Sequence, residues 1–320
     1  MRVAAPTLVC LLALGLLATA SSPVPAQQRI RERILQHMQD GLQSDAEGHE
    51  RALLASVPPG ANVERDIAYG QDPKQRYDVY LPAQLHADAP VLFMVHGGGW
   101  RRGDKAYASV VDNKATYWLG KGFVFVSVNN RLEPAADPMT QARDVAAALA
   151  SVLQHARQWR ADPERVVLMG HSAGAHLVAL LGSAPALLRQ AGARRPLGVV
   201  SLDSGALNVP ALMGQARVPQ LYHDAFGSDP AYWASVSPLQ QLNRNALPML
   251  LVCSSTRHFP TAPCDEARKL EQRARTLGVS MQVLPEAMQH GAINQQLGLA
   301  SNYTRAVADW IDRAVGQVRR

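Results

Sequence analysis

The nonapeptide Val166-Val167-Leu168-Met169-Gly170-His171-Ser172-Ala173-Gly174 joins four apolar residues to a serine set between glycines, and residues 173–181 after it are patterned as a helix. A continuously apolar run of this length is what a strand needs when both faces of its sheet are covered. Small residues at 170, 173 and 174 let the chain turn sharply from strand to helix, which presents the serine hydroxyl at the rim of the sheet and aims the first helical amides at it. Ser172 is therefore the candidate nucleophile. The plain alternative is a glycine-rich turn without chemistry; the pentapeptide alone is common, and the strand before it and helix after it give it meaning.

Continuous apolarity recurs at residues 91–95, 123–128, 199–202, 249–253 and 281–284, and residues 63–69 and 75–81 read as an early hairpin. Helical spacing at 107–119, 139–159, 265–277 and 303–318 separates these runs. The alternation predicts an α/β domain with a mostly parallel, doubly wound sheet, helices on both faces and functional residues beyond the carboxyl ends of the strands. Residues 203–248 show no clear period but carry Tyr222, Phe226, Tyr232 and Trp233; the part at 207–240 is expected to be a small lid whose aromatics either wall a pocket or simply pack.

At the other end, Arg2, the apolar residues 8–17 and the small-x-small site Ala18-Thr19-Ala20 predict a cleaved export signal over 1–20 and a periplasmic or secreted protein. Ile30, Ile34, Leu35, Met38 and Leu42 fall at helical spacing ahead of Pro58-Pro59-Gly60, so 21–62 is expected to be an N-terminal helical extension and 63–320 the catalytic domain. Cleavage leaves Cys253 and Cys264, eleven positions apart, and in an oxidising compartment they are expected to pair.

Composition narrows the partners. With 47% hydrophobic and 18% charged residues the chain can build a large core, so disorder and fibres are excluded. The net charge is +6, yet Arg101-Arg102, Arg194-Arg195 and Arg319-Arg320 are scattered and lack interleaved aromatics, which reads as solvated surface and not a nucleic-acid face. No stable membrane insertion is expected once the signal is removed.

His96-Gly97-Gly98-Gly99-Trp100 follows the run at 91–95. The amides of Gly98 and Gly99, with that of Ala173, are candidate donors to an oxygen that becomes negative during attack at a carbonyl. No Lys-Ser/Thr follows, as a phosphate loop would require, and His96 reads as a buried anchor of the loop. A serine needs a base, and His290 stands after the last predicted strand, where a Ser, acid, His order would end. His37, His49, His155, His171 and His176 read as surface or packing.

The Gly170-to-Gly174 elbow, the His96-to-Trp100 run and His290-Gly291, with Asn129-Asn130-Arg131-Leu132 and Asp162-Pro163-Glu164-Arg165, resemble the α/β-hydrolase fold, especially its hormone-sensitive-lipase-like carboxylesterases and arylformamidase-like enzymes. The resemblance spans roughly residues 63–315. It implies a Ser-His-acid hydrolase of carboxylic esters with no metal or organic cofactor and a small-molecule ester as its partner. One departure stands out. The acid of these proteins usually follows the strand at 249–253, where this chain reads Ser254-Ser255-Thr256-Arg257-His258 and holds no carboxylate. Asp203, at the end of the preceding strand, is the preferred substitute because a strand end holds an imidazole more rigidly than a loop. Asp265 is the other candidate, although it also suits a helix start. The leading expectation is an exported serine esterase acting on small to medium esters through an acyl-enzyme. An amidase or formamidase on the same residues, suggested by Trp100, is the second; a non-catalytic binding protein on the same scaffold, suggested by the missing acid, is the third.

Overall fold

A computed structural model describes residues 55–316. The expected signal at 1–20 and, up to residue 54, the expected helical extension at 21–62 lie outside the described residues; the part of that extension that is described, 55–61, is not helical. The described chain begins as an irregular segment and enters strand β1 at Asn62–Ala68. Strands β2 (Arg76–Leu81), β3 (Ala89–Val95), β4 (Val124–Val128), β5 (Ala161–His171), β6 (Gly198–Leu202), β7 (Met249–Ser254) and β8 (Met281–Glu286) complete one eight-stranded sheet in the order β1-β2-β4-β3-β5-β6-β7-β8. The β1–β2 hairpin and the β2–β4 pair are antiparallel, and all pairs from β4 to β8 are parallel.

The reason the strands read as unbroken apolar runs is visible in β3. Val91, Phe93 and Val95 join the core on one side of the sheet, whereas Leu92 and Met94 join the core on the other. Each such side chain removed from water contributes about 1.5–3 kcal/mol, so a strand buried on two faces cannot alternate with polar residues. Helices α1 (Ala108–Gly120) and α11 (Asn302–Gly316) supply Val111, Trp118, Val307 and Ile311 to the second core; α2 (Pro138–His155) and α3 (Ala173–Ser183) supply Val145, Leu149, Val178 and Leu181 to the first. The start of α2 is fixed locally: Pro138 opens it and the Asp137 carboxylate accepts from the Thr140 amide at 2.7 Å. A short helix, α4 (Ala186–Gln190), follows α3.

Between β6 and β7 the chain forms four helices of four to seven residues, α5 (Val209–Met213), α6 (Gln220–Phe226), α7 (Pro230–Ser235) and α8 (Pro238–Gln241). Elements this short cannot show a helical period. After β7 come α9 (Pro263–Thr276), β8 and α10 (His290–Gln295). Cys253, at the end of β7, is bonded to Cys264, in the first turn of α9, and the disulfide closes the intervening loop at its base. Among the described residues no helix is long and apolar enough to cross a membrane.

Candidate active site

The end of β5 turns into α3 through Ser172, whose φ of 55° and ψ of −116° lie where an L-residue is strained. The flanking glycines explain how the turn is held. A Cβ on Gly170 would lie 2.4 Å from the Gly174 carbonyl oxygen, and one on Gly174 would lie 2.4 Å from the carbonyl oxygens of both Val95 and His96. Strand, helix and the loop after β3 therefore meet backbone to backbone around the serine. The Ser172 amide donates to Leu202 O at 3.0 Å, which ties the turn to β6.

Three side chains from three strand ends converge here. His290, the first residue of α10, has Nε2 2.9 Å from Ser172 Oγ and Nδ1 2.6 Å from Asp203 Oδ2. A carboxylate only accepts, so Nδ1 carries the proton and Nε2 is left to accept from the serine hydroxyl. Asp203 is the residue after β6, is 0% exposed and has a φ of 56°. Its Oδ1 accepts from the Ser254 amide at 2.7 Å and its Oδ2 also lies 3.0 Å from Arg257 Nη2. Burial alone would raise this carboxyl, but the His290 hydrogen bond, the Arg257 charge and the Ser254 amide outweigh it and hold the group at about 2. The alternative acid, Asp265, sits in the first turn of α9 with its side chain 65% exposed and paired with Arg268 at 2.8 Å, away from this cluster.

His171 packs its ring on His290, with centroids 4.6 Å apart, and its Nε2 lies 3.1 Å from His290 O. Burial, and then the neighbouring His290, push its own titration well below the ordinary histidine range, so it adds no charge beside His290. His96 is buried, with Nδ1 2.7 Å from Gly97 O, and burial lowers its pKa as well; it anchors the loop.

The loop at 96–100 lies over the elbow. Gly98 O accepts from the Arg102 amide at 2.9 Å, and a Cβ on Gly98 would lie 2.2 Å from Arg102 O. No acceptor among the described residues takes up the amides of Gly98, Gly99 or Ala173. Gly97, which the sequence reading passed over, is the glycine set against the serine: a Cβ there would stand 3.0 Å from Ser172 Cβ, whereas one on Gly99 would meet Leu221 at 2.6 Å.

Trp100, at a φ of 61°, is pinned at both ends. Its carbonyl accepts from Gln141 Nε2 at 2.8 Å and from the Glu133 amide at 2.9 Å. Its indole donates to His176 Nδ1 at 3.3 Å, and His176 Nε2 donates to Val236 O at 2.7 Å. Burial lowers His176 to about 4, so the ring stays neutral in this tautomer. Of the aromatics at 207–240, Tyr222 and Phe226 are buried against Trp100, with centroids 5.8 and 4.9 Å away; they pack.

His176, Arg257 and Gly97 are the residues the sequence reading did not assign to the site. For His176 the signal was its place one turn into the elbow helix; for Arg257 it was its occupation of the position where an acid was expected. Among the described residues no group of three or more His, Cys, Asp or Glu is placed to hold a metal ion.

With this geometry established, comparison with known proteins locates the chain. Residues 77–191 match the BD-FAE family. A probable isoprenylcysteine alpha-carbonyl methylesterase of Arabidopsis thaliana is 32% identical over 117 residues, covering 37% of this chain and 24% of the plant protein. A kynurenine formamidase of Danio rerio is 32% identical over 136 residues, covering 42% of this chain and 44% of that protein. The chain thus spans well under two thirds of either relative. Among solved structures, esterase B of Lactobacillus rhamnosis superimposes with a TM-score of 0.68 at 21% identity, covering 92% of this chain and 98% of that one. The sheet order, the strained serine after its central strand and this superposition define the α/β-hydrolase fold. Within that fold the similarity is to carboxylesterase and arylformamidase-like proteins, as the motifs at 96–100 and 170–174 implied.

Proposed function

We propose that this chain is a serine hydrolase of small to medium carboxylic esters. The observation that carries the reading is the unbroken contact from Ser172 Oγ through the His290 ring to Asp203 Oδ2, at 2.9 and 2.6 Å. In this reading His290 Nε2 takes the serine proton as Oγ attacks the ester carbonyl, and Asp203 stabilises the imidazolium that results. The amides of Gly98, Gly99 and Ala173 receive the developing oxyanion, each contributing about 3 kcal/mol to the transition state. The imidazolium returns its proton to the departing alcohol; water, activated by the same ring, then cleaves the acyl-enzyme and frees Ser172. The esterase named among its relatives and the superposition with esterase B support ester cleavage. The test is a panel of nitrophenyl esters of increasing acyl length with wild type and Ser172→Ala, together with fluorophosphonate labelling. Turnover and label that persist in Ser172→Ala overturn the reading.

A second reading, cleavage of an N-formyl aromatic amine by the same residues, is favoured by Trp100 and by the similarity to a kynurenine formamidase. Turnover of an N-formyl aniline exceeding that of the best ester would select it.

We also infer that the protein is exported to the periplasm or secreted with residues 1–20 removed. The leader composition and the Cys253–Cys264 bond, of a kind that persists in oxidising compartments, support this. The N-terminal sequence of the mature protein tests it.

A further inference from the structure

A cation beside a buried carboxylate weakens the carboxylate's hold on an imidazolium. Asp203 has such a neighbour. Arg257 Nη2 lies 3.0 Å from Oδ2, the oxygen that also holds His290 Nδ1, and donates to Asp203 O at 3.2 Å. The Arg257 side chain is only 14% exposed, so water screens the contact little. Its loop is fastened on every side: the Cys253–Cys264 bond closes its base, Ser254 Oγ and Thr256 Oγ1 donate to Met288 O at 2.6 and 3.3 Å, and Thr261 Oγ1 donates to Gly205 O at 3.1 Å. These contacts fix the backbone that carries the guanidinium.

We propose that Arg257 is a positioning residue that clamps the Asp203 carboxylate while offsetting part of its attraction for protonated His290, and so extends the enzyme's activity to lower pH. The inference rests on the serine-hydrolase reading of the site. Without the guanidinium, the Asp203 carboxylate faces His290 with its negative charge unopposed, and the rate falls sooner on acidification.

Other groups face this cluster. His171 of β5 packs on His290 and is held neutral by burial; Tyr222 of α6 is against Arg257 with its hydroxyl raised by burial; Tyr303 of α11, also raised by burial, senses Glu286 at the end of β8 and Asp203; Lys114 of α1, lowered by burial to about 7, acts on His171. All of them persist when residue 257 alone is changed, so a comparison of variants isolates the guanidinium.

The experiment is the pH profile of kcat/KM on a short nitrophenyl ester for wild type, Arg257→Gln and Arg257→Lys, with Ser172→Ala as the blank. Glutamine keeps donors without charge, and lysine keeps charge without the two-point contact. The acid limb of Arg257→Gln is expected about one pH unit higher than that of wild type, with Arg257→Lys following wild type. A glutamine limb that superimposes on wild type, however low its kcat, overturns the proposal, because a merely structural role lowers rate without moving the limb. If circular dichroism shows that Arg257→Gln does not fold, Arg257→Met, which also removes the charge, takes its place in the same comparison with the same two outcomes. Wild-type turnover that does not depend on Ser172 overturns the hydrolase reading itself, which separates the two failures.

Discussion

The Ser254 amide donates to Asp203 Oδ1 at 2.7 Å, so the carboxylate at the end of β6 is gripped by the last residue of the adjacent strand β7. One oxygen of Asp203 is thereby fixed by backbone and the other is left for His290. The acid has moved one strand inward from where the family resemblance places it, and the strand it left now supplies its support.

Asp203→Asn would present an amide to Nδ1 and favour the wrong imidazole tautomer, lowering kcat by about 10⁴-fold. Asp265→Asn, on an exposed residue paired with Arg268, should leave kcat within twofold of wild type, by about that margin. Steady-state kinetics on one ester checks both.

The same carboxylate links stability to pH. Its folded value, about 2, lies below that of an unfolded aspartate at about 3.9, so its stabilisation is fully present above pH 4 or so and is lost as pH falls through about 2. Urea midpoints measured between about pH 5 and pH 2 should fall more steeply for wild type than for Asp203→Asn.

Gly98→Ala would force a side chain to within 2.2 Å of Arg102 O at a φ of 123°. Displacing the loop's amides should cost about 10²–10³-fold in kcat with little change in KM, since the lost contacts act on the transition state. A ground-state role for the loop would show instead as a rise in KM alone.

His176→Phe would leave Val236 O and the Trp100 indole without their buried partner. The expected loss of stability is about 1–3 kcal/mol, read from chemical denaturation. Tryptophan fluorescence should change as well, because Trp100 loses its hydrogen bond.

Replacing Cys253 and Cys264 by alanine opens a loop with a sequence separation of 11. The chain-entropy estimate for so short a loop is about 3 kcal/mol, and denaturation of the double variant against oxidised wild type measures it.

Much of this architecture was legible in the chain because β3 to β7 carry apolar side chains on both faces, which leaves an unmistakable run in the sequence. The elbow was legible because its glycines are dictated by backbone contacts that allow no Cβ. The helices α5 to α8 were not, since four to seven residues carry no period; Pro210, Pro230 and Pro238 in their first turns, with the capping side chains of Asn208 and Asp229, were the available signal. Arg257 was visible only as an arginine where an acid was expected; its partner, 54 positions away, leaves no local pattern. The choice of Asp203 over Asp265 rested on the rigidity of a strand end, and the geometry puts only Asp203 beside His290.

The amides of Ser172 and Asp203 both donate to the neighbouring strand, to Leu202 O at 3.0 Å and to Val252 O at 2.8 Å, so the hydrogen-bond ladder of the sheet runs one step past each strand end and into the reacting groups themselves. Ser172 and Asp203 are thus welded into the parallel sheet at the centre of the fold. On warming, such a machine should not drift out of tune before it melts: the number of working molecules should dwindle while each survivor keeps its full speed.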